Sequence, residues 1–134
     1  MALPNTSTPS ADDNMMAVAA IREGLATDII DKILAQGVVS REQLHQLVIP
    51  RRTLDHRRKA GDRLTPAESE RALRVERVIR HALDTFGDSE RARSYMCKPM
   101  PRFRGLSCIE MLDTEIGARL VQDLLTRIDY GIYG

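Results

Sequence analysis

The sequence predicts an all-α fold, a small helical bundle, on three observations. Helix start and stop signals follow one another from residue 12 to the C-terminus. No segment shows the apolar–polar alternation of a half-buried strand. The longest periodic segment, 65–87, carries Ala72, Val75, Ile79, Ala82, Leu83 and Phe86 at spacings that form one helix face. The 134 residues are 43% apolar, 29% charged and 4% aromatic, the balance of one soluble domain or two small ones. A chain of this size buries enough surface to hold a core without disulfide or metal staples.

Residues 1–12, rich in Ser, Thr, Pro and Asn, read as a flexible lead-in. The first helix is expected from Asp12 or Asp13 as N-cap to Gly24, with Met16, Ala19 and Ala20 on its inner face. A second runs from Thr27 to Gly37 and aligns Ile29, Ile30, Ile33 and Leu34. Ser40 with Gln43 forms a capping box for a third, two-turn helix that turns Leu44, Leu47 and Val48 inward. Pro50 suits the start of a fourth, which Gly61 closes. Thr65-Pro66-Ala67-Glu68 then combines a capping box with proline at the first helical position and opens the spine helix, 65–87, about 33 Å long at about 1.5 Å per residue. Asp88 caps a shorter helix to Cys97, and Pro99 with Pro101 predicts an extended connection through Gly105. A turn at 107–111 precedes the last helix, 113–129, capped by Asp113 or Thr114. Its apolar stripe is Ile116, Leu120, Val121, Leu124, Leu125 and Ile128, and an aromatic tail, 130–134, ends the chain. The organisation expected is lead-in 1–12, a helix-turn-helix part 13–64 and a second helical part 65–134.

Charge is unevenly distributed. Residues 1–39 hold two basic and five acidic groups, 40–63 seven and three, 64–104 nine and six, and 105–134 two and five, so the near-neutral total of +1 hides a basic middle between acidic ends. A basic segment suits phosphates and an acidic end suits a protein partner. Two short helices joined at Ile49-Pro50 read as a helix-turn-helix, whose second helix enters the major groove. Arg51, Arg52 and Thr53 then stand as base readers, while Arg57, Arg58 and Lys59 are placed for phosphates. A solvated basic face of a bundle is the competing reading.

Catalysis finds little support. His45, His56 and His81 lack the paired spacing of metal ligands, Cys97 and Cys108 read as reduced thiols, and the paired carboxylates sit in first turns where the helix dipole favours them. No glycine-rich phosphate loop occurs, and no nucleophile, base and oxyanion site come together, so neither an enzyme, a metal nor a cofactor is expected. No apolar run approaches the ~18 residues that cross a bilayer, and the N-terminus lacks the order of a signal peptide, so the expected compartment is the cytoplasm. Tyr130, Ile132 and Tyr133, interleaved with Gly131 and Gly134, place two of the five aromatic residues at a chain end that is ordinarily polar. They either fold back onto the last helix or enter a cleft in a partner.

Gly24-Leu25, Arg52-Thr53-Leu54 with Arg57-Arg58, Gly61, the run Leu64 to Ser69 and Phe86-Gly87-Asp88 together resemble the Xre/MbcA/ParS-type antitoxins. Leu112 to Arg119 and Leu124 to Tyr133 resemble that family's toxin-binding domain, and the likeness extends over residues 22–134. The resemblance implies an antitoxin of a type II toxin–antitoxin pair whose partner is a RES-domain toxin that degrades NAD or uses it for ADP-ribosylation. It implies a promoter-binding N-terminal part that represses its own operon, and a C-terminal part that covers the toxin's NAD-binding cleft. The motif positions carried over as toxin contacts are Asp113, Gly117, Arg127, Tyr130, Gly131 and Tyr133, with Ile132 and Gly134 completing the tail. Tyr95-Met96, Pro99-Met100, Arg104-Gly105, Cys108 and the turn Val48-Ile49-Pro50 depart from the family pattern. Operator DNA read as paired half-sites implies a homodimer. The alternative is a stand-alone helix-turn-helix regulator whose C-terminal part only dimerises.

Overall fold

Thr65 starts the helix around which the rest of the chain is laid. The computed structural model describes residues 9–131. Among them the elements are α1 (Ala11–Glu23), α2 (Asp28–Ala35), α3 (Arg41–Leu47), α4 (Arg51–Ala60), α5 (Pro66–Phe86), α6 (Ser89–Cys97) and α7 (Glu115–Asp129), with 3-10 turns at Pro101–Phe103 and Glu110–Asp113 and no strand. At the start of α5 the Thr65 hydroxyl accepts from the Glu68 N–H at 3.1 Å and the Glu68 carboxylate accepts from the Thr65 N–H at 2.8 Å. This reciprocal cap, with Pro66 behind it, satisfies backbone donors that a helix end otherwise leaves open.

Helix α5 packs against α1, α2, α6 and α7. The expected stripe is inside: Ala72, Val75, Ile79 and Ala82 are buried and Leu83 and Phe86 are half-buried. Neighbours on several sides also bury Val78, Arg74 and Glu76, positions that one amphipathic face would have left wet. A single apolar cluster therefore runs from Ile30 and Ile33 of α2, through Leu44 and Leu54, to Val121 and Leu125 of α7.

The chain crosses itself closely where α1 ends. A Cβ on Gly24 would lie 2.3 Å from the Leu64 carbonyl oxygen, and its φ is +90°, so glycine is required there twice over. The crossing is bonded: the Leu64 N–H donates to the Leu25 carbonyl, the Leu25 N–H to Ser69 Oγ, and Arg63 to the Gly24 carbonyl.

Three local expectations differ from the structure. The cap of α1 is Ser10, not Asp12 or Asp13; Ser10 and Asp13 bond reciprocally, so helix starts at Ala11 within the expected lead-in. The inner face of α1 is formed by Ala17, Val18, Ala20 and Ile21, all half-buried, while Met16 and Ala19 point outward with Met15. The segment after Pro99 is a hook and not an extended link. The N–H groups of Phe103 and Gly105 both donate to the Met100 carbonyl, and Arg104 adopts φ +56°. Burial of Phe103 is what closes it, because an aromatic side chain in the core outweighs the proline bias toward extended backbone.

Candidate functional site

Two exposed faces are built on this scaffold. The first begins at α3, where the Ser40 hydroxyl accepts from the Gln43 N–H and the Gln43 side chain accepts from the Ser40 N–H. Leu44, Leu47, Val48 and Ile49 are buried, which sets the angle between α3 and α4. His45 Nδ1 donates to the Ile49 carbonyl at 2.9 Å and Arg71 Nε donates to the Val48 carbonyl at 2.9 Å, so side chains satisfy the turn that Pro50 leaves without backbone donors.

On α4, Leu54 points into the core and fixes the helix rotation. Arg51, Arg52, Asp55, His56 and Lys59 then line one shallow outward groove. No acidic residue occupies the first turn of α4, and no side chain caps it, so two arginines sit at the positive end of the helix dipole. That arrangement disfavours an isolated helix and favours an anion in front of it.

The other two arginines are used differently. Arg57 donates from Nε and Nη2 to the two Glu68 oxygens, each at 3.1 Å, and its side chain is only 23% exposed. Burial pushes the Glu68 carboxyl up, but the Arg57 guanidinium and the Thr65 N–H together outweigh it and hold the group below the usual carboxylate range. Arg57 is thus engaged in fastening α4 to the cap of α5. Arg58 donates to Asp31 and to the Thr27 carbonyl, which fastens α4 to α2. Of the six residues expected at DNA, Arg51, Arg52 and Lys59 face outward together, Thr53 is half-buried on the flank, and Arg57 and Arg58 are bonded within the fold. His56 and Asp55 join the outward face; their spacing from Arg52 and Arg51, four residues each, was the available signal.

The second face lies on α7. Thr114 is its cap, its hydroxyl accepting from the Gly117 N–H at 2.9 Å. Helix α5 clamps α7 at three levels. The buried Arg74 donates to the Leu112 and Asp113 carbonyls, Arg77 to Glu115 and Gln122, and His81 and Thr85 hold the two Asp129 oxygens at 2.8 and 2.6 Å. This clamp determines which side of α7 is inward. Gly117, Ala118, Val121, Leu124 and Leu125 are buried, whereas Ile116 is 71%, Leu120 47% and Tyr130 66% exposed. Ile116 and Leu120, expected inside, stand outward with Asp123, Arg127 and Tyr130 on one stripe, because α7 is apolar around too wide an arc for the core to cover.

Gly117, expected as a partner contact, is buried: a Cβ there would lie 2.0 Å from the Met111 carbonyl oxygen, so this position serves close packing. Asp113, Arg127, Tyr130 and Gly131 are exposed, and Ile132, Tyr133 and Gly134 lie outside the described residues. Cys108 is buried, which pushes its thiol up to about 11, while Cys97 is exposed. Among the described residues no group of three or more His, Cys, Asp or Glu could hold a metal, and no helix is long and apolar enough to cross a membrane.

Residues 16–77, containing the first face, match the family described as the antitoxin Xre-like helix-turn-helix domain, and residues 81–131, containing the second, match the antitoxin Xre/MbcA/ParS C-terminal toxin-binding domain. The chain belongs to the Xre antitoxin family. Antitoxin Xre of Yersinia enterocolitica serotype O:8 / biotype 1B is 37% identical over 125 residues, 92% of this chain and 84% of that protein. Antitoxin Xre of Pseudomonas putida is 34% identical over 114 residues, covering 85% and 70%, and Antitoxin Xre of Photorhabdus laumondii is 36% identical over 119 residues, covering 85% and 78%. Membership accounts for the two faces: a helix-turn-helix carries the first and a toxin-binding domain the second, and the matched segments meet inside α5. The family points to a regulatory role.

Proposed function

We propose that this chain is the antitoxin of a type II pair, that it occludes the NAD-binding cleft of a cytoplasmic RES-domain toxin, and that it represses its own operon by binding promoter DNA. The observation that carries the toxin half is the outward stripe Ile116, Leu120 and Tyr130 on a helix whose other face is packed against the core, within the toxin-binding domain. Exposed apolar residues aligned on one rigid helix are the ordinary anchor of a protein interface. Asp113, Arg127, Tyr130 and Gly131, all exposed, join that stripe as toxin contacts, and Ile132, Tyr133 and Gly134 complete the contact set. Gly117 contributes through packing beneath it.

In the DNA half, Arg51 and Arg52 meet base edges, Thr53 lies at their flank, and Lys59 meets phosphate. Arg57 and Arg58 position α4 through Glu68 and Asp31.

The experiment is co-expression with the product of the adjacent reading frame, followed by pull-down and an NAD-consumption assay. Ile116→Asp with Leu120→Asp, and separately deletion of residues 130–134, are expected to abolish neutralisation while promoter binding and helix content stay unchanged. Equal loss of folding, promoter binding and neutralisation on tail deletion would remove the occlusion claim. No complex, with promoter binding intact, would favour the stand-alone regulator.

A further inference from the structure

Helix α7 ends on a residue that its own dipole disfavours. Asp129 is the last residue of the helix, and a carboxylate there adds negative charge to the negative end. Its oxygens are held from another element. Thr85 Oγ1 donates to Asp129 Oδ1 at 2.6 Å, and His81 Nε2 stands 2.8 Å from Oδ2, where an ionised oxygen requires the ring proton on Nε2. His81 and Thr85 are four residues apart, hence on one face of α5, and together they form a clasp. The side chains of His81 and Asp129 are only 12% and 19% exposed.

Beyond the clasp the backbone closes on itself. The Tyr130 N–H donates to the Thr126 carbonyl, the Gly131 N–H donates to the Ile128 carbonyl at 2.9 Å, and Gly131 takes φ +72°. Tyr130, being largely exposed, adds little packing to hold that turn. A terminal turn frays unless it is tied down, and the side-chain tie here is Asp129.

We infer that His81 and Thr85 are positioning residues for toxin neutralisation: acting through Asp129, they hold the last turn of α7 in one arrangement and present Tyr130 already oriented to the partner. The inference rests on the reading of Tyr130 as a toxin contact. Its physical content is preorganisation. An aromatic anchor on a fixed turn loses little freedom on binding, whereas on a frayed turn the ordering of several residues offsets the contact energy. Local fraying at a helix end has little effect on global stability, so positioning and folding separate in measurement.

The test is the affinity of the full chain for the product of the adjacent reading frame, measured by competition titration. Thr85→Val removes the hydroxyl at nearly constant shape and helix propensity. It is expected to weaken the complex at least about tenfold while the melting temperature falls by less than about 3 °C. Thr85→Ser keeps the donor and is expected to stay within about twofold of wild type. His81→Gln, which keeps an N–H, is expected to lose less affinity than His81→Leu. In a Tyr130→Ala background, Thr85→Val is expected to weaken binding less than about threefold, because no aromatic ring is left to orient. Hydrogen exchange of the Tyr130 and Gly131 amides is expected to quicken in Thr85→Val while that of the α5 core is unchanged. Wild-type affinity in Thr85→Val, equal losses with and without Tyr130, a serine variant as weak as the valine one, or a loss that tracks a falling melting temperature would each overturn the inference and leave the toxin-contact reading standing. Wild-type affinity in Tyr130→Ala would overturn both.

Discussion

Arg52 and Arg57 stand five residues apart on one helix and have opposite surroundings. Arg52 lines an open groove, whereas Arg57 is bonded at two points to a buried carboxylate that also caps the neighbouring helix. Glu68→Gln is expected to cost about 2 kcal/mol at pH 7, read by urea or thermal unfolding, since Arg57 keeps its charge and loses its partner. Because the folded Glu68 titrates below its ordinary 4.5, its contribution is present above that pH and is lost as pH falls through the lowered folded value. The gap between wild type and variant should thus narrow in acid; a gap constant down to pH ~3 would assign the loss to shape and not charge. At Gly117 the limit is steric. A Cβ 2.0 Å from a backbone oxygen has no flexible neighbour to displace, so Gly117→Ala is expected to lower stability by about 3 kcal/mol and to weaken toxin binding only as far as the fold is lost.

Element boundaries were largely legible, because the signals that set them are local. The capping boxes at Ser40 and Thr65, the Asp88 cap and Gly24, Gly61 and Gly87 at helix ends act within three or four residues of themselves. Ser10 is not singled out by the sequence because Asp12 and Asp13 offer a second acceptable start, and reciprocal bonding with Asp13 decides between them. The rotation of an element about its axis was less legible. The middle of α1, Met15 to Ile21, is apolar all round, and the apolar arc of α7 is wider than the core covers, hence Met16, Ala19, Ile116 and Leu120 carry no local mark of facing outward. On α4 the polarity is richer and its outward face makes a sharp claim. Under the DNA-binding proposal, Arg52→Ala should reduce the slope of log affinity against log salt by up to about 1 if it meets phosphate, or relax base preference if it meets a guanine edge. Arg57→Ala should leave slope and preference alone and lower the melting temperature.

The whole molecule is organised by α5, which supplies the floor beneath both faces. Its N-terminal half anchors α4 through Glu68 and the turn through Arg71, and its middle and C-terminal half hold α7 through Arg74, Arg77, His81 and Thr85. Ile79→Ala, at a position with no exposure, is expected to cost about 3 kcal/mol and to melt both faces in one transition. Two separated calorimetric transitions would instead mean that the halves fold independently. The helices, their caps other than that of α1, the basic middle between acidic ends and the antitoxin family follow from the sequence by itself, because each depends on neighbours in the chain or on the order of motifs. Which arginines are free, that Gly117 is packed under Met111, and that α1 and α7 keep apolar residues in the open were decided only by the tertiary structure. The reason is the same in each case: periodicity states that a helix has an apolar side, but when the apolar arc is wider than one neighbour can cover, contacts from residues tens of positions away choose the part that is buried.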